Sequence, residues 1–136
     1  RNDGGHLLAT SSCVSKFAVP NHGAYAATKA AQDLLCQAMR LELAPVGIHV
    51  STIHPITTTT EFFDVSAKVS GITSGPSGTH LTPRRFMQPA GRVADAVVRC
   101  LRRPVAEVWT SHIVRLLSAI RTLRPTVLDR PLRKFL

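Results

Sequence analysis

The chain alternates short apolar runs with longer stretches of helical periodicity. Gly5-His6-Leu7-Leu8-Ala9-Thr10-Ser11 is a compact apolar run ending in small polar residues. That is the pattern of a buried strand whose C-terminal edge lies near Ser11 and Ser12. Residues 15–23, with Pro20, Asn21 and Gly23, read as a loop. Over residues 24–44 good helix formers run without Gly or Pro, and Ala27, Ala31, Leu34, Ala38 and Leu41 recur at helical spacing, predicting one apolar face. Pro45 and Gly47 end that helix. Residues 48–53 alternate branched apolar with polar side chains and predict a second strand, closed by Pro55.

Residues 57–89 are rich in Ser, Thr, Gly and Pro, and too long for an ordinary connection. They read as a loop or lid, with a short helix expected over 61–69. Residues 92–102 predict a helix with Val93, Ala96, Val97, Cys100 and Leu101 inward, ended by Pro104. A third strand follows at 106–110. A further helix spans 112–123, with Ile113, Leu116, Leu117, Ile120 and Leu123 expected to face the core. Residues 125–136 show no periodicity and read as a basic irregular tail. Strands joined by helical crossovers pair in parallel, so the fold class is α/β with an open parallel sheet in one domain over residues 1–124. In such sheets chemistry collects outside the carboxyl ends of the strands, where Ser12 and the turn after Pro55 fall.

Composition narrows the functional classes. Apolar content of 44% suits a globular core. No run of about 18 apolar residues suggests a membrane span. Cys13, Cys36 and Cys100 are odd in number and set in apolar surroundings, the pattern of buried thiols in a reducing cytoplasm. The net charge of +9 comes largely from arginines beyond Arg84. No aromatic residues interleave with them as a nucleic-acid stacking surface requires, so they read as solvated charge. The six histidines lack ligand spacing, which argues against a metal site.

Tyr25 is the only tyrosine, and Lys29 lies one helical turn later on the same predicted face. A phenol is a poor acid or base at neutral pH, but a nearby ammonium stabilises the phenolate. Tyr25 is therefore a candidate for passing a proton to or from a substrate oxygen. Ser12, thirteen residues upstream at a strand end, is placed to hydrogen-bond the same oxygen.

Three stretches together resemble the short-chain dehydrogenase/reductase superfamily: Thr10-Ser11-Ser12, Tyr25-Ala26-Ala27-Thr28-Lys29-Ala30-Ala31, and Val50-Ser51-Thr52-Ile53-His54-Pro55. The resemblance runs from about Gly5 to Thr110. It implies a Rossmann-like doubly wound parallel sheet, truncated here to its C-terminal strands and helices. It also implies an oxidoreductase that uses NAD or NADP to interconvert alcohols and ketones. By the same resemblance Tyr25 is the general acid/base, Lys29 binds the nicotinamide ribose and tunes the tyrosine, and Ser12 orients the carbonyl. The turn bearing the nicotinamide contacts maps onto Pro55, Ile56 and Thr60, and pairing of family members through the tyrosine helix implies a homo-oligomer.

Two departures stand out. Ile56 replaces the family's turn glycine, and a branched residue does not readily take a positive φ, so the turn must differ or strain. The glycine-rich phosphate loop and the catalytic asparagine are also missing. Opening at Arg1-Asn2-Asp3 without a Met, the chain is expected to be the latter half of a longer enzyme and inactive alone. Two rival readings remain open at this point. One is a non-catalytic module that pairs through its unpaired first strand. The other is a protein whose Arg/Leu-rich C-terminal helix meets an anionic lipid surface.

Overall fold

The computed structural model describes residues 4–61, 65, 68–69 and 82–133. Strand β1 (Gly5–Thr10) leads through a 3-10 turn (Cys13–Ser15) and a loop into helix α1 (Gly23–Leu43). A second 3-10 turn (Ala44–Val46) precedes strand β2 (Ile48–His54). Pro45 is the second residue of that turn, and Gly47 ends it at φ 72°, a left-handed conformation that glycine adopts without steric cost.

Strand β2 is the centre of the main sheet. It pairs in parallel with β1, from Gly5↔Ile48 to Thr10↔Ile53, and with strand β5 (Glu107–Trp109), from Thr52↔Glu107 to His54↔Trp109. Val50 through His54 are all buried, whereas β1 is half open. The expected parallel α/β sheet is present, in the order β1-β2-β5.

The segment after β2 differs from its expected reading as a plain loop. Strand β3 (Thr57–Thr59) pairs in parallel with strand β4 (Met87–Pro89), which follows a 3-10 turn at Arg84–Phe86. The two ends of the segment are therefore held side by side, with Gln88 Nε2 donating to Thr58 Oγ1 at 3.2 Å. Most of the helix expected over 61–69 lies outside the described residues; Val65 N donates to Glu61 O. Helix α2 (Ala90–Arg102) buries Ala96 and Cys100 as expected, while Leu101 points outward. Helix α3 (His112–Leu123) is capped by Ser111, whose hydroxyl accepts from Val114 N. In place of a wholly irregular tail, a short helix α4 forms at Asp129–Leu132.

The apolar faces expected for α1 and α3 are turned the other way. On α1, Leu34 and Leu41 are 67% and 73% exposed, and Ala27, Ala31 and Ala38 are exposed beside them. The face on the sheet carries Ala26, Asp33 and Cys36, with Lys29, Ala30, Met39 and Arg40 half-buried. Small residues let the helix approach the strands, and its polar side chains bond the strand carbonyls. Arg40, for example, donates to Val50 O on β2 at 2.9 Å and to Ala106 O, just before β5, at 3.1 Å. On α3, Val114 and Ser118 face inward and Leu117 is half-buried as expected, whereas Ile113, Leu116, Ile120 and Leu123 are exposed.

Candidate functional site

The carboxyl end of β1 passes directly into the candidate serine. Ser11 N continues the ladder by donating to Ile53 O at 2.9 Å. Ser12 is extended and caps the 3-10 turn, its Oγ accepting from Val14 N at 3.4 Å. A hydroxyl used as an acceptor in this way keeps its own proton for another oxygen.

Tyr25 sits in the first turn of α1 and is half-exposed. Lys29 follows one turn on, its Nζ 5.9 Å from the centroid of the Tyr25 ring. That ammonium donates to Thr10 O at 2.9 Å and to Gln32 Oε1 at 3.1 Å. The Ser11 hydroxyl returns the link by donating to Lys29 O at 3.4 Å. The expected Tyr25–Lys29 pair is thus on one face, and its lysine is tied to the strand end two residues before Ser12.

The turn after β2 explains how Ile56 is accommodated. Among the described residues, Asn21 is the only non-glycine with positive φ, so the chain avoids the left-handed turn. Ile56 instead buries its side chain with Cys13 and Val114, against Val14, Phe17, Phe86 and Trp109. Its N–H donates to Thr110 Oγ1 at 3.3 Å, and Pro55 O accepts from Cys13 N at 3.0 Å. Thr60 lies exposed beyond β3.

Sequence reasoning missed a polar cluster behind the serine. Asp33, a further turn along α1 from Lys29, is 8% exposed. Its Oδ2 accepts from Ser15 Oγ at 2.5 Å and meets Lys16 Nζ at 3.2 Å. Lys16 also reaches Glu107 Oε1 at 3.0 Å. His54 is fully buried, with Nδ1 at 3.3 Å from Ser12 O and 3.7 Å from Asp33 Oδ2, and Nε2 at 3.2 Å from Thr52 Oγ1. The available signal was an acid four residues after Lys29, on the lysine's own helix face.

The charges follow from these contacts. Burial alone would raise the Asp33 carboxyl, but hydrogen bonds from Ser11 and Ser15 and the neighbouring His54 and Lys16 hold it below the usual range. Burial works against Lys16 as well, yet its two carboxylate partners raise it. Burial lowers His54 in spite of the nearby Asp33. The Cys13 thiol is pushed up to about 11 by burial, which makes it a poor nucleophile. Among the described residues no group of His, Cys, Asp and Glu could hold a metal. A cavity of about 430 Å³ opens beside this cluster, lined by Ser15, Lys16, Asp33, Gln37, Arg40 and Glu107 among others, and by none of the six candidate residues.

Comparison with known proteins places these features in context. The family model for short chain dehydrogenases matches residues 1–69. An uncharacterized NAD-dependent oxidoreductase of Mycobacterium tuberculosis is 32% identical over 101 residues, covering 71% of this chain and 37% of that protein. A short chain dehydrogenase from Burkholderia cenocepacia, solved in complex with NADP, aligns with a TM-score of 0.68 over 95% of this chain and 47% of its own. Its 22% identity makes that a likeness of fold. The promiscuous reductase LugOII, described as catalysing keto-reduction at C1 during lugdunomycin biosynthesis, aligns with a TM-score of 0.59 and 29% identity, over 80% of this chain and 44% of its own. The chain spans less than half the length of each of these relatives.

Proposed function

The chain belongs to the short-chain dehydrogenase family, and from that premise we propose that Ser12, Tyr25 and Lys29 are the proton-handling group of an NAD- or NADP-dependent oxidoreductase interconverting alcohols and carbonyls. The observation that carries this reading is the Lys29 ammonium, set beside the Tyr25 ring and anchored on Thr10 O at the strand end that leads into Ser12.

The residues present fit one end of a nicotinamide cofactor. The Lys29 ammonium, beside the half-exposed phenol, offers donors for a ribose, with Pro55 and Ile56 in the turn beyond β2 and Thr60 just past β3. They do not fit the other end, since no Gly-x-x-x-Gly-x-Gly occurs in the sequence and, among the described residues, no helix start presents a glycine cradle for a pyrophosphate. The reading therefore assigns pyrophosphate binding to residues outside these 136. When bound, the nicotinamide supplies or takes the hydride.

The chain's own residues handle the proton. The Ser12 hydroxyl donates to the substrate oxygen and holds the carbonyl in place. Tyr25 passes its proton to that oxygen in reduction and recovers it in oxidation. Lys29 stabilises the phenolate left behind, because a neighbouring ammonium favours the charged form of the phenol. The outward apolar face of α1, with Leu34 and Leu41, supports the expected homo-oligomer.

Two measurements test the reading. Fluorescence titration of the 136-residue chain with NADH is expected to show no saturable binding, and saturation would overturn the assignment of the pyrophosphate grip elsewhere. In the intact oxidoreductase, Ser12→Ala and Tyr25→Phe should each cut turnover; unchanged turnover in both would remove the group from its role.

A further inference from the structure

The Ser12–Cys13 peptide is held at both ends by His54, the last residue of β2, and Pro55 just after it. Its N–H, on Cys13, donates to Pro55 O at 3.0 Å. Its carbonyl, on Ser12, has three donors within reach: Ser15 N at 3.1 Å, Ser15 Oγ at 2.8 Å and His54 Nδ1 at 3.3 Å. A carbonyl has two lone pairs and a hydroxyl one proton, so one of these contacts must yield. Ser15 Oγ has a better acceptor in Asp33 Oδ2 at 2.5 Å, and a charge-assisted bond to a carboxylate outcompetes a neutral one. With the Ser15 hydroxyl donating to Asp33, the Ser12 carbonyl is left with Ser15 N–H and His54 Nδ1–H, which saturate it.

The rest of the imidazole agrees. His54 is fully buried, and with its proton on Nδ1 its Nε2 accepts from the Thr52 hydroxyl at 3.2 Å. Asp33 stands on the helix that carries Tyr25 and Lys29, at successive four-residue steps along one face. Its carboxylate thus ties the turn that bears the serine to the helix that bears the tyrosine. Ser15 Oγ also lies 3.4 Å from His54 Nδ1, but its hydroxyl donates to the carboxylate at 2.5 Å and not to the ring, so a Ser–His–Asp nucleophilic group is not formed here.

We infer that Asp33 and His54 are positioning residues for Ser12: the juxtaposition of a helix carboxylate, the Ser15 hydroxyl and a buried imidazole fixes the Ser12–Cys13 peptide plane, and so aims the Ser12 hydroxyl relative to Tyr25. This rests on the reading above, in which Ser12 acts on the substrate oxygen. It adds two residues that do not touch the substrate but decide whether the hydroxyl points at it.

The test is a double-mutant cycle in the intact oxidoreductase. His54→Leu is expected to lower kcat about tenfold with little change in KM, since a small misplacement of a catalytic group is costly. In the Ser12→Ala background the same change should cost no more than roughly twofold, because there is no hydroxyl left to aim. His54→Asn, which keeps a donor near the Nδ1 position, should recover most of the loss. An equal loss in both backgrounds overturns the positioning role. Ser12→Ala and Tyr25→Phe both leaving turnover intact overturns the enzymatic reading itself, a different outcome. Should His54→Leu not fold, long-range nitrogen–proton NMR of the unaltered chain at neutral pH still decides: a proton on Nδ1 and none on Nε2 is expected, and the opposite tautomer overturns the inference.

Discussion

The His54 imidazole stacks on the Trp109 indole, with ring centroids 4.6 Å apart and planes 20° from parallel. The two are register partners across β2 and β5, so the sheet itself sets the stack. Trp109 Nε1 donates to Glu107 Oε2 at 3.1 Å, and the other oxygen of Glu107 takes the Lys16 ammonium. An apolar ring face, a carboxylate pair and the Ser12 turn carbonyl therefore surround one histidine that is held neutral by burial.

Acid should destabilise the chain in two stages. The folded His54 pKa lies below its ordinary 6.5, so the unfolded chain binds the proton first, and stability falls as pH drops below about that value. Asp33 and Glu107 are lowered from 3.8 and 4.5, so their contribution is present above those values and is lost as pH falls through the folded ones. Urea midpoints across pH 3–8 would show both stages, with the upper one reduced in His54→Asn. A midpoint flat between pH 7 and 5 would contradict the neutral, buried ring.

Ile56→Ala should cost about 2–5 kcal/mol in urea unfolding, because it removes a buried branched side chain from the Cys13–Val114 cluster. Leu123→Ala, at a side chain 83% exposed on α3, should change stability by less than about 0.5 kcal/mol. Comparable losses at both positions would restore the helix orientation expected from periodicity alone.

The three cysteines should resist alkylation in the folded chain. All are buried, and Cys13 and Cys36 are both shifted upward chiefly by burial. Thiol titration with a chromogenic disulfide should proceed only as fast as the chain opens, and accelerate in urea. Immediate reaction at pH 7 would contradict that burial.

Tyr25→Phe in the intact oxidoreductase should lower kcat by about 10²–10⁴, the range for loss of a general acid/base, and leave nucleotide affinity nearly unchanged. A parallel loss of affinity would assign the phenol to binding instead of proton transfer.

Much of this was legible in the residues. Strand and helix order followed from periodicity, and Tyr25 and Lys29 fall on one face because four residues make about one helical turn. Periodicity reports that a helix has an apolar side, not which side the rest of the chain covers. In α1 the leucines face out, while Asp33, Lys29 and Arg40 bond the strands and their turns. The pairing of β3 with β4 was equally out of reach, since it joins residues about thirty apart across a stretch without apolar pattern.

Local spacing along the chain was enough to determine the parallel α/β class and the candidate Ser12, Tyr25 and Lys29. Only the tertiary structure decided that Ile56 goes into the core, and that Asp33, Ser15 and His54 meet behind the serine. The physical reason is range: a helical turn or a strand alternation is set by neighbours a few positions away. A hydrogen bond between Asp33 and a turn eighteen residues earlier, or a ring contact across fifty-five, exists only once the sheet has brought the elements together.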